Sequence, residues 1–145
     1  GTDQANFQFN GSTNTGSAYN VTKTSNFYYS YNRGSDGANN FQAQTSLDLA
    51  QSTSFQDIAY NTNVDNYSSL VGSLMIFNPS STTFVKHFIS TTNDEAQTSG
   101  EQGLSQVSHV TGYMNTTSAV DAIRFQFNSG NMDSGKIKLY GIKDS

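Results

Sequence analysis

The sequence predicts an all-β fold, an antiparallel, jelly-roll-like β-sandwich of about eight strands. Three observations predict it. Apolar and polar residues recur with period two rather than with the i, i+3, i+4, i+7 spacing of an amphipathic helix. Turn signals separate these runs at regular intervals, the pattern of sandwiches and barrels. The wet surface is built from Ser, Thr and Asn, which together exceed a third of the chain, while charged residues make up only 12%. Thr suits a pleated surface, and Ser and Asn suit turns. Eighteen aromatic residues, 10 Phe and 8 Tyr, favour strands for the same reason.

The elements follow in order. Phe7 and Phe9 alternate with polar residues in a first strand over residues 6–10. After a turn-rich stretch with Gly11, Asn14 and Gly16, residues 26–33 form an aromatic strand (Phe27, Tyr28, Tyr29, Tyr31). It ends at Gly34-Ser35-Asp36-Gly37, a strong turn signal. Residues 41–49 alternate Phe41, Ala43, Thr45, Leu47 and Leu49 and complete a hairpin. Residues 54–60 are a weaker strand and residues 61–69 a polar loop. Residues 70–78 carry apolar side chains on both faces, Leu70, Leu74 and Ile76 against Val71, Met75 and Phe77, which predicts a central strand. Asn78-Pro79-Ser80-Ser81 turns the chain into a return strand over 82–92. Residues 93–103 read as an acidic loop, 104–114 as a strand, 115–120 as a turn and 121–128 as a cleanly alternating strand. A turn over 129–135 leads to a last strand over 136–143. No linker interrupts the chain, so residues 1–145 read as one domain.

Composition excludes several functions. There is no cysteine, which removes zinc–thiolate sites, iron–sulfur clusters and thiol catalysis. The net charge is −4 and the seven Lys and Arg residues are scattered, so no nucleic-acid partner is expected. No apolar run approaches the length of a membrane-spanning helix, and no signal-peptide or lipidation pattern is present. No cofactor is implied.

Catalytic candidates are few. His87 and His109 sit mid-strand and could serve as a general base, but no G-x-S-x-G accompanies either, and each reads as a histidine at the edge of the core. Asp94, Glu95 and Glu101 could form a glycosidase pair, yet adjacent loop carboxylates seldom hold a fixed separation and read as a solvated acidic loop. Asp48 and Asp57 read as surface residues. Asp36 with Asn39 and Asn40 offers oxygen atoms but not the spacing of a calcium loop. The triplets at Asn10, Asn20, Asn66 and Asn115 match the N-glycosylation pattern, as chance allows in so Asn-, Ser- and Thr-rich a chain. Catalytic and metal sites are therefore not expected. The aromatics divide: Phe27, Tyr29 and Tyr31 are expected in the core, while Tyr28 and Tyr67 are expected on the surface. There, with Asp36 and Asn39 nearby, they would suit a sugar through stacking and hydrogen bonds.

The last third carries the most specific pattern. It runs through Thr111-Gly112-Tyr113, Thr116-Thr117-Ser118-Ala119-Val120-Asp121-Ala122-Ile123, Ser129-Gly130-Asn131 and Gly135 to Leu139-Tyr140-Gly141-Ile142. With Ile76-Phe77-Asn78-Pro79-Ser80-Ser81 upstream, it resembles a group of tailed-phage virion structural proteins common in marine phages and metagenomes. The resemblance covers roughly residues 70–142, and the first seventy residues match only loosely. It implies a non-enzymatic sandwich carried on the virion as a head fibre, decoration or adhesin module, with other virion proteins and host-surface glycans as partners. It also implies a homo-oligomer, a trimer by analogy with other phage surface modules. No catalytic residues are carried over. The rival reading is a carbohydrate-binding module.

Overall fold

A computed structural model describes residues 4–63, 65, 68–98 and 101–142. Among these are eight strands: β1 (Gln4–Ser12), β2 (Lys23–Arg33), β3 (Asn39–Ala43), β4 (Gln56–Asn63), β5 (Leu70–Ile76), β6 (Lys86–Thr98), β7 (Glu101–Met114) and β8 (Ala122–Phe127). All pair antiparallel, in the order β3-β2-β7-β6-β4-β1-β8, with β5 also on β6. The hydrogen-bonded path bends at one pairing, Thr62 of β4 opposite Ala96 of β6. It thereby divides into a five-strand layer, β3-β2-β7-β6-β5, and a three-strand layer, β4-β1-β8. The pairings β1–β8 and β2–β7, which bring early strands beside late ones, give the wound, jelly-roll-like character that the sequence predicts.

The core lies between the layers. Phe9 of β1 and Ile58 of β4 meet Phe27 of β2, Phe88 of β6, and Val110 and Met114 of β7, with Val21 and Val120 closing one end. Each fully buried Phe contributes about 1.5–3 kcal/mol of transfer free energy. Phe9 and Phe88 meet edge to face at 5.1 Å, an orientation that the ring quadrupoles favour.

Two lysines also lie inside. Lys23 and Lys86 are both paired opposite Met114, one from each neighbouring strand, and both are buried. The Lys23 ammonium donates to Asn10 Oδ1 (2.6 Å) and to the Val21 carbonyl (2.7 Å). The Lys86 ammonium donates to the carbonyls of Phe84 (2.9 Å) and Thr116 (3.0 Å). These acceptors are neutral, so the donors are satisfied while the charge is not offset. Burial brings the Lys23 pKa down to about 7.

Four expectations are corrected. The strand expected over 41–49 stops at Ala43, and a 3-10 turn follows at Thr45–Leu47. There the chain still follows β2 through two backbone bonds, Gln44 N–H to the Phe27 carbonyl and Ser25 N–H to the Leu49 carbonyl (both 2.9 Å), and side chains supply the rest: Asp48 Oδ1 accepts the Phe27 N–H (2.7 Å) and Ser25 Oγ accepts the Leu49 N–H (3.0 Å). Asp48 is accordingly half-buried and not simply a surface residue. β5 is an edge strand rather than a central one. It pairs with β6 alone, and its second apolar face, Val71 and Met75, meets solvent. The expected loop over 93–103 belongs largely to the β6–β7 hairpin, because the inward position after Thr92 is the carboxylate Asp94, which conceals the period that Ala96 resumes. Residues 136–142 form no strand, since they lie exposed without a neighbouring strand to complete their backbone bonds; residue 143 lies outside the described residues.

Two tests follow from this interior. A Cβ at Gly112 would stand 2.4 Å from the Thr24 carbonyl oxygen and 2.7 Å from Phe88 Cζ, so Gly112→Ala should lose about 3 kcal/mol or more in chemical denaturation. A lysine whose pKa is lowered in the fold gives up its proton there first. The unfolded chain then holds more protons between about 7 and 10.5, and stability should rise with pH across that window. Lys23→Met should flatten the rise in melting temperature, with a remainder from Lys86, whose pKa is also lowered by burial.

Candidate functional site

The outer face of the five-strand layer holds most of the residues the sequence singles out. The registers define rows across it. One row runs Ala43, Tyr28, His109, Thr91, Ser73; the next runs Phe41, Ser30, Val107, Asn93, Val71. On the other side of the first row lies Asn26, Thr111, Ile89, Met75. At about 4.8 Å per strand the face is roughly 20 Å wide. It is open, and two hollows of about 370 and 340 Å³ lie on it, one beside Asn93 and Glu95 and one beside His87 and Tyr113.

Tyr28 stands on this face, as expected, and its ring stacks on Phe41 at 6.2 Å with an interplanar angle of 4°. Phe41 is 73% exposed and Tyr28 36%, so the outer ring face of the pair is available to a ligand. Asn39 lies on the same face of the β2–β3 hairpin, two residues from Phe41, and donates to the Gly37 carbonyl (3.4 Å). Asp36 sits at the hairpin tip, where one oxygen accepts from Arg33 (3.1 Å) and the other from the Ala38 N–H (2.9 Å). It is thus engaged within its own turn. Three of the four expected binding residues, Tyr28, Asp36 and Asn39, share one hairpin. Tyr67 lies outside the described residues. Phe27 is buried and Tyr29 and Tyr31 are half-buried, Tyr29 packing on the core as expected.

The catalytic candidates are not brought together. His87 and His109 both point outward and are exposed, contrary to the expectation of core-edge histidines, because Phe88 and Val110 take the inward positions beside them. His109 Nδ1 shares a hydrogen bond with Thr91 Oγ1 (2.9 Å), while His87 lies beside Tyr113 at 6.0 Å. Thr91, opposite His109, is four residues along β6 from His87, about 13 Å at strand rise. Asp94 and Glu95 are successive strand residues and face opposite sides.

Asp94 is a correction of another kind. It is not solvated but buried on the inner face, beside Thr62 and Gln106. Burial raises its pKa to about 6, against the smaller opposing pull of those two side chains. Asp57 is half-buried, not a surface residue; burial raises it too, partly offset by the hydrogen bond from Gln8 (2.9 Å). Counting inward from Phe88 with period two would have placed Asp94 inside, and counting outward would have shown the exposed apolar series Ile89, Val107 and Met75.

The Asp94 shift has a definite sign. The unfolded carboxyl ionises near 3.8 and the folded one near 6, so this group favours the fold at low pH and loses that contribution as pH rises through 6. Asp94→Asn should match the parent at pH 4 and exceed it at pH 7 by on the order of 2 kcal/mol, read from denaturation midpoints.

No protein-family model, no curated protein and no solved structure matches this chain.

Proposed function

We propose that this protein is a non-enzymatic structural module of a phage particle, a head fibre, decoration or adhesin component, that works through the outer face of the β3-β2-β7-β6-β5 layer. The observation that carries this reading is the face itself: open, five strands wide, and studded with exposed Phe41, Val71, Met75, Phe77, Ile89 and Val107 among Ser, Thr and Asn. Exposed apolar side chains gathered on one rigid face mark a docking surface rather than a substrate cleft. The resemblance of residues 70–142 to tailed-phage virion proteins supports placing that surface on a virion. An antibody to the purified chain should label gradient-purified particles of a phage encoding it. Finding the protein in lysates but never on particles would overturn the reading. On the particle, Phe41→Asp with Ile89→Asp should cut incorporation at least tenfold without lowering the melting temperature.

The Tyr28–Phe41 stack favours a second reading, recognition of host-surface glycans by this hairpin. An exposed aromatic plane flanked by Asn26, Asn39 and His109 offers stacking with hydrogen-bond groups at its rim. On a glycan array, Tyr28→Ala and Phe41→Ala should each weaken binding about tenfold or more if this reading holds. A parent protein that binds no glycan would exclude it.

A further inference from the structure

Residues 136–142, Lys-Ile-Lys-Leu-Tyr-Gly-Ile, have the alternation of a strand but the exposure of a denatured chain. Ile137 is 58% exposed, Leu139 95%, Tyr140 77% and Ile142 86%. Four large apolar side chains in seven residues are too many to leave in water as ordinary surface scatter. Their backbone groups also lack the ladder that a strand requires.

The same chain carries a matching vacancy. β8 pairs with β1 on one side only, among the described residues. Its layer has three strands facing five, and Leu74, Ile76, Ile123 and Phe125 on the rim of the core remain only partly buried. A fourth strand beside β8 would extend the narrower layer. Placed there, Ile137 and Leu139 share one face and reach the rim together, and Gly141 follows in the same phase. The other open edges suit the segment less well. β3 offers Asn39, Asn40 and Gln42, with its one large apolar residue, Phe41, already stacked on Tyr28 of the outer face, and β5 already turns its spare apolar residues, Val71 and Met75, to that face.

We propose that residues 136–142 add as a strand to the open edge of β8 in a second copy of this chain. Within one copy the path leads elsewhere. Asn128 is tied to Asn6 of β1 by two hydrogen bonds, from its N–H (3.0 Å) and to its side-chain oxygen (2.8 Å), and the segment beyond leaves the body of the fold. Donor and acceptor are present on every copy, so the exchange satisfies both in a closed pair or ring. Ile137 and Leu139 cover the rim while Tyr140 and Ile142 lie on the outer side of the extended layer, so each copy buries a few hundred Å², less than the roughly 800 Å² of a standard interface and in keeping with an oligomer that dissociates on dilution. The inference stands apart from the proposed phage role and needs only the chain itself.

Light scattering on the eluted full chain, over roughly a hundredfold range of concentration, tests it. The parent should be oligomeric and dissociate on dilution. The double variant Ile137→Asp, Leu139→Asp should be monomeric and should melt at the temperature the parent shows once diluted to monomer, since these side chains support nothing within one copy. The chain has no cysteine, so the contact itself can be read. Copies bearing Tyr140→Cys should form mixed disulfides with differently tagged copies bearing Gln126→Cys on β8, since both face the outer side of the extended layer, and not with copies bearing Asn40→Cys on β3. A parent monomeric at every concentration overturns the proposal, as does an oligomer that survives the double variant. Amide protection of residues 136–142 that does not change on dilution also overturns it, by showing that the segment pairs within its own copy.

Discussion

The fold depends on how the second edge of β6 is shared. Along its first edge β6 pairs with β7 from Lys86 to Thr98. Along the other it pairs with β5 from Phe88 to Asp94, and then, at Ala96, with β4. A strand that served β5 over its full length would give a wider flat sheet and no enclosed core. By passing its last residues to β4, β6 starts the second layer, and β1 and β8 follow from β4. Ala96 is fully buried at this corner, where a larger side chain would crowd the crossing of the two layers.

Polar bonds then fix how the layers sit on each other. Thr92 Oγ1 of β6 donates to the Ile58 carbonyl of β4 (2.7 Å), Gln106 Nε2 of β7 donates to the Tyr60 carbonyl, and Ser25 of β2 donates to Gln56 of β4. Greasy contacts alone would tolerate sliding, whereas directional bonds in a low dielectric select one register. The same interior holds Asp94, Lys23 and Lys86, whose charges cost more to bury than their hydrogen bonds return. Stability is traded for definition, and the cost shows as opposite pH dependences on the acidic and alkaline sides.

Much of the fold was legible in the sequence because alternation survives wherever the inward residues are apolar. Phe7 and Phe9 mark β1, Phe27 marks β2, and Ile123 and Phe125 mark β8. Legibility failed where the inward residues are polar: after Ser90 and Thr92, the inward Asp94 beside Glu95 disguised the end of β6 as an acidic loop. It failed again where alternation was present without a partner, at residues 136–142, since a strand is a property of pairs and not of a pattern. β5 misled in a third way. Apolar residues on both faces usually mean burial on both faces, but Val71 and Met75 belong to an exposed apolar surface. At the candidate site, Tyr28, Asp36 and Asn39 were placed on one hairpin by local spacing alone. Their neighbours Phe41 and His109 come from register, which a single sequence does not display.

That outer surface stays compatible with a chain of few charges because of how its rows are ordered. Across the strands, Phe41, Ser30, Val107, Asn93 and Val71 alternate apolar and polar. Each exposed apolar side chain in this row therefore has hydroxyl or amide neighbours on the adjacent strands, and where apolar side chains do meet, Ile89 with Met75 and Phe41 with Tyr28, they meet in pairs, so the apolar area is divided into small islands. Islands of this kind hold water between them and resist indiscriminate association. They also give weak contacts one at a time, so a surface built this way gains useful affinity when many copies present it together. Two aligned copies double the islands facing one partner without enlarging any of them, and the second contact forms at the effective concentration set by the first.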